Sequence, residues 1–188
     1  MKTENNIKIL GVDPGTNVLG YALISPGKSG ILLLEMGVLH LKDFKEHQLK
    51  LKSIYERLQA IIERHQPSQM AIEAPFYAKN PQSMLKLGRA QGVAIAAAVA
   101  LNVEVWEYSP KKIKQSVTGN GNATKEQVAA MLGQILKQPI HHKFLDATDA
   151  LATALCHHFQ HGNSKSYDIK KHTGWKSFIE ANPKKVIL

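Results

Sequence analysis

At 188 residues the chain is long enough for one domain with a sizeable core, and its mixed composition excludes a fibrous, low-complexity or disulfide-stapled protein. A single cysteine, no apolar stretch of the ~18 residues that span a bilayer, and a polar opening over residues 1–6 point to a reducing, cytoplasmic setting without a membrane segment. Twenty-four Lys and Arg against 15 Asp and Glu give a formal net charge of +9, which means either plain solubility or a polyanionic partner, most often nucleic acid.

In chain order, Ile7 to Asp13 is a nearly continuous apolar run and reads as a buried strand ending in a carboxylate. Pro14-Gly15-Thr16-Asn17 is turn chemistry. Val18 to Ser25 and Ile31 to Leu41 follow as two strands, and the short links favour antiparallel hairpins. Leu51, Ile54, Tyr55, Leu58, Ile61 and Ile62 recur at helical spacing between Gln48 and His65, and Pro67 stops that helix. Met70 to Ile72 is a short strand that also ends in an acid, Glu73. Asn80-Pro81 opens a helix that runs to about Ala100, with Gly88, Gly92 and Ala96 four apart on one face.

"NVEVWEY" alternates as a strand, and Thr124 with Gln127 forms a capping box at the head of another helix. A last helix covers Leu145 to His161, with Cys156 as a small buried thiol in it. The domain is expected over 1–161. Residues 162–188, six lysines against Asp168 and Glu180, read as a loosely ordered basic tail with Trp175 and Phe178 as anchors. The order β-β-β-α-β-α-β-α-α predicts an α/β protein, a mixed sheet with helices on its faces.

Four acids stand out from this plan. Ligands of α/β sheets bind beyond the carboxyl ends of the strands, where Asp13 and Glu73 fall if their strands are parallel neighbours. Asp146 and Asp149, spaced i, i+3 at the start of the last helix, share one helical face and are both expected in its first turn. Singly, each has a plain structural role as turn-former, strand end, cap or first-turn acid. Together they would repel one another strongly unless cations lie between them, and hard divalent ions with oxygen ligands answer that need. Two such ions ~3.5–4 Å apart activate a water and stabilise the leaving oxygen of a phosphodiester.

The basic residues gather at Lys111, Lys112 and Lys114, at Lys125, and in the tail. Nine histidines are present, yet His141-His142 and His157-His158 lack cysteine partners and zinc spacing. His141 or His142, just before Asp146, is either an outer group of the acidic site or part of a solvated loop. No Walker loop, nucleophile elbow or Rossmann glycine pattern is present.

The segments "ILGVDPGTNVLGYALI", "AIEAPFYAKNPQSMLKLGRAQGVAIAAA", "VWEYSPKKIKQSVTGNGNATKEQV" and "DATDALATAL" together resemble the RuvC-type Holliday junction resolvases, in that family's order. The resemblance implies a ribonuclease H-like fold: a five-stranded mixed sheet, three strands antiparallel and then two parallel, with helices on both faces. It also implies that Asp13, Glu73, Asp146 and Asp149 are catalytic and hold two Mg²⁺ (or Mn²⁺) ions per subunit. The implied product is a pair of symmetric nicks across a four-way DNA junction, made by a homodimer in recombination and repair, with a branch-migration complex as a further partner.

Phe76 matches an aromatic that acts on DNA at the crossover, and stacking on a base is worth ~1–3 kcal/mol. Lys114 and Lys125 match basic residues facing DNA near the acids, and Lys111 and Lys112 extend that patch. The helix of Gly88, Gly92 and Ala96 matches one used between subunits; packing on the sheet is its competing role. The alternatives are a ribonuclease H-like nuclease acting on RNA–DNA hybrid or RNA, and a non-catalytic junction-binding module. An actin-like phosphotransferase is disfavoured, because the chain is too short for two lobes.

Overall fold

Apolar runs that alternate with amphipathic segments fold here into one sheet with helices on both sides. The computed structural model describes residues 7–75, 80–140 and 145–161. In chain order the elements are β1 (Ile9–Asp13), β2 (Val18–Gly27), β3 (Gly30–His40), α1 (His47–His65), β4 (Gln69–Glu73), α2 (Pro81–Val99), β5 (Glu104–Tyr108), α3 (Pro110–Thr118), α4 (Lys125–Leu136) and α5 (Leu145–His161). The strands lie in the order β3-β2-β1-β4-β5. β1–β2 and β2–β3 are antiparallel, while β1–β4 and β4–β5 are parallel, which gives the expected ribonuclease H-like sheet. The tight β2–β3 hairpin closes at Gly27↔Gly30, and Gly30 takes a φ of 132° that side-chain-bearing residues avoid.

Each face of the sheet has its own core. On one, Leu10, Val12, Leu19 and Leu23 meet Ile54, Leu58 and Ile61 of α1 and the alanines Ala90, Ala94, Ala97 and Ala98 of α2. On the other, Ile9, Ala22, Ile24 and Ala71 meet Ile113 and Val117 of α3, Val128 and Leu132 of α4, and Leu151 and Leu155 of α5. Cys156 is a buried free thiol in that second core.

α5 lies directly on β1 and β2, and two glycines make that approach sterically feasible. A Cβ at Gly11 would stand 2.1 Å from the carbonyl oxygen of Ala150, and one at Gly20 would stand 2.0 Å from that of Asp146. No described helix is long and apolar enough to cross a membrane.

One expectation needs correcting, and one competing role is set aside. α3 is an additional helix: Ser109 caps it by accepting from the Lys112 amide, Pro110 occupies its first turn, and Gly119 ends it with a φ of 77°. Only Ile113 and Val117 are buried along it, too few to form a visible period. The small residues of α2 are not packed on the sheet either, since a Cβ at Gly88 or Gly92 would meet nothing within 4 Å. Ala96 is exposed beside them, so this face of α2 is open. Phe76, His141, His142 and the tail 162–188 lie outside the described residues.

Candidate active site

β1 and β4 run parallel in the register Ile9↔Gln69 to Val12↔Ile72, so the next residue of each strand is its acid. Asp13 and Glu73 therefore stand side by side, about one strand spacing of ~4.8 Å apart, at the carboxyl edge of the sheet. The close seat of α5 on Gly11 and Gly20 brings the other two acids to the same edge. Asp146 lies in the first turn of α5, and its own carbonyl rests against Gly20. Asp149 falls beyond that first turn, which corrects the expectation for it. A side chain, rather than the helix end, compensates its charge: Lys125 Nζ donates to Asp149 Oδ2 at 2.6 Å. The Lys125 side chain is 55 % exposed, so the pair is well screened and exchangeable.

Electrostatics show how closely the four acids interact. Asp13 is pushed up to about 8, first by burial and then by the negative charges of Glu73, Asp149 and Asp146, with Lys125 pulling the other way. Glu73 is pushed up to about 7, first by burial and then by Asp149, against the pull of Lys125 and Lys114. Among the described residues no three His, Cys, Asp or Glu side chains are drawn together tightly enough to hold a metal ion. The acids are gathered at one edge of the sheet without closing on a single point. As a donor set they suit a hard divalent cation: all are carboxylates, and two of them carry a proton-binding tendency that such an ion would replace.

A cavity of about 670 Å³ opens there, and Asp13, Glu73 and Asp149 share its lining with Lys111, Lys114 and Lys125. Pro110, Ile113, Val128 and Ala152 supply apolar wall. Three of the four lysines singled out in the sequence are thus brought to the acids. Lys112 is exposed and does not line the cavity, since consecutive helical residues face different ways. Asp146 acts on Asp13 through space but is not part of the lining. The sequence reading passed over Gly11 and Gly20, which seat α5, and the helix α3 that carries three of the lysines. The cap-proline-glycine signature of α3 was present in the sequence; the glycines carry no local signal.

The RuvC family model, crossover junction endodeoxyribonuclease RuvC, matches residues 9–157. The chain belongs to this family. The crossover junction endodeoxyribonuclease RuvC of Cytophaga hutchinsonii is 58 % identical over 185 residues, 98 % of this chain and 90 % of that protein. The RuvC of Bacteroides fragilis is 49 % identical over 183 residues, with 95 % of each chain covered. Among solved structures, Thermus thermophilus RuvC superposes with a TM-score of 0.74 at 31 % identity, covering 81 % of this chain and 94 % of that one. The T. thermophilus RuvC complex with Holliday junction substrate gives a TM-score of 0.73 at 27 % identity, with the same coverage.

Proposed function

We propose that the chain is a structure-selective endodeoxyribonuclease that resolves four-way DNA junctions by paired symmetric nicks, in recombination and repair. The observation that carries this reading is the convergence of Asp13, Glu73 and Asp149 on one cavity that Lys111, Lys114 and Lys125 also line. An acidic centre in a chain of net charge +9 is what a nuclease needs, since the exterior attracts phosphate and the centre must carry cations. Family membership and the relative solved with a Holliday junction substrate support the choice of DNA junctions.

In this reading Asp13, Glu73, Asp146 and Asp149 hold divalent ions, two Mg²⁺ per subunit with Mn²⁺ as a substitute. Bound there, the ions supply an activated water and charge neutralisation for phosphodiester hydrolysis. The chain's own residues orient the substrate. Lys111, Lys114 and Lys125 draw the scissile phosphate into the cavity, and Lys112 adds charge on the outer surface. Phe76, following β4, stacks on DNA at the crossover. No side chain serves as a covalent nucleophile, so hydrolysis is a single in-line displacement.

Two active sites are required for two nicks, and the open face of α2 is the proposed contact between subunits. Leu85 and Val99 on that helix are 56 % and 57 % exposed, flanking the unfilled space at Gly88 and Gly92. Residues 1–161 form the nuclease domain, and the basic segment 162–188 adds further attraction for DNA. A cytoplasmic location and a branch-migration complex as partner complete the proposal.

The test is cleavage of labelled four-way junction, RNA–DNA hybrid and linear duplex, with and without Mg²⁺. Preferential, Mg²⁺-dependent nicking of the junction is the expected result. Preferential cutting of the hybrid would assign the site to a ribonuclease instead, and tight junction binding without cleavage would make it a binding module.

A further inference from the structure

The turn after Asp13 is held by a residue that the four acids do not involve. Lys50 is the fourth residue of α1, and its partly buried side chain reaches the turn between β1 and β2. Its Nζ donates to the carbonyl oxygen of Thr16 at 3.0 Å and to Oδ1 of Asn17 at 3.1 Å. The Leu41 amide donates to the carbonyl of Asn17 at 2.9 Å, so the far end of the turn is tied to the exit of β3 as well. At the near end Gly15 folds so tightly that a Cβ there would stand 1.8 Å from the carbonyl oxygen of Val18. The neighbouring Lys52 behaves as a surface lysine, in an exposed i, i+4 pair with Glu56 at 3.6 Å. Lys50 instead spends its charge on turn acceptors far away in sequence.

We propose that Lys50 is a positioning residue for the acidic site: by clamping the Pro14–Asn17 turn it fixes the direction in which Asp13 presents its carboxylate to a divalent cation. This rests on the reading of Asp13 as a metal ligand. The clamp works through geometry, for the cation whose field reaches Asp13 is Lys125. Groups that orient a metal ligand from behind typically change metal affinity or activity by ~10–100-fold when removed. A ligand carboxylate free to swing has the same consequence, because misplacement by about 1 Å is enough to cost activity on the order of 100-fold.

The test uses the full-length chain, as wild type, Lys50→Met, Lys50→Arg and Asn17→Ala. Three quantities are read: the Mg²⁺ concentration that half-saturates the rise in melting temperature without DNA, the salt dependence of junction binding in EDTA, and kcat against KM for junction cleavage. Lys50→Met is expected to raise half-saturating Mg²⁺ about 10-fold and to lower kcat, leaving KM and the salt slope unchanged. Lys50→Arg should recover most of the loss. Asn17→Ala removes one acceptor without touching the lysine, and should shift the Mg²⁺ curve the same way by a smaller factor. An unmoved Mg²⁺ curve with a shallower salt slope would make Lys50 a DNA contact and overturn the proposal. So would a melting temperature lowered equally with and without Mg²⁺, which is plain structural support. If wild type itself shows no response to Mg²⁺, the acidic site has been misread and the clamp falls with it, whereas a normal wild-type response shared by all three variants sinks the clamp alone.

Discussion

Replacing Asp13 by asparagine should stabilise the protein when divalent ions are chelated, and abolish its stabilisation by Mg²⁺. Asp13 is held near 8 in the folded chain against 3.8 for the free side chain. A carboxyl whose folded value is raised binds more protons folded than unfolded, so stability is greatest below about 3.8 and falls as pH climbs towards 8. At pH 7 the accumulated cost is roughly 3 pH units at 1.36 kcal/mol each, or about 4 kcal/mol.

Asparagine keeps the shape and removes the ionisation, so Asp13→Asn should recover up to that amount in EDTA at pH 7. For a domain of this size each 1 kcal/mol moves the melting temperature by ~2–4 °C, which makes the gain on the order of 10 °C. At pH 4 the two proteins should melt nearly together, because Asp13 is then neutral in the folded state too. Added Mg²⁺ raises the wild type by mass action and leaves the variant almost unmoved. Melting curves in EDTA at pH 4 and pH 7, and in a Mg²⁺ titration, read all of this. A variant less stable than wild type in EDTA at pH 7 would refute the repulsion argument, and an equal Mg²⁺ response would remove Asp13 from the ligand set.

Gly20→Ala should cost more than about 2 kcal/mol in urea unfolding and lower junction cleavage sharply, because its Cβ would displace the Asp146 backbone; cleavage at the wild-type rate would show that α5 need not sit so close. His157 is fully buried, with Tyr108 Oη 2.7 Å from its Nδ1, and is pushed down to about 4 by burial and by His161 and His158. Its folded value lies below the unfolded 6.5, so its contribution is complete above about pH 6.5 and is lost as pH falls towards 4, by as much as about 3 kcal/mol. That part of the pH–stability slope should vanish in His157→Gln, measured by urea unfolding from pH 7 to 4.5. Lys114→Met should flatten the dependence of log binding constant on log salt by ~0.9 if the lysine holds one phosphate, an effect that a filter-binding series in EDTA detects; Lys112→Met, outside the cavity, should leave junction cleavage at saturating DNA unchanged.

The acids were legible as a set, because each alone has a plain structural role and only four carboxylates gathered in a basic chain call for another. Asp13 follows a buried strand and precedes Pro-Gly, and Glu73 ends a strand of three apolar residues, so both announce the carboxyl edge without any knowledge of the fold. Link lengths made the β1-β2-β3 hairpins legible, whereas the parallel places of β4 beside β1 and of β5 beside β4 were only what the family resemblance implied. What failed to show was information shared between distant segments. Gly11 looks like any strand glycine until α5, some 140 residues later, is laid across it. Lys50 looks like a surface lysine until the turn at Thr16 and Asn17 comes within reach. α3 was overlooked for a different reason: nine residues with two buried side chains give too little periodicity, although Ser109, Pro110 and Gly119 marked both of its ends.

The central claim is that the acid cluster cuts DNA at a four-way junction, and the most direct measurement maps both nicks on one junction labelled on each strand in turn, with wild type and Glu73→Gln under Mg²⁺. The account predicts nicks at symmetry-related positions on two strands of like polarity for wild type. It predicts undiminished binding with no nicks for Glu73→Gln. Nicks that persist in the variant, or that fall on a single strand without symmetry, would contradict it.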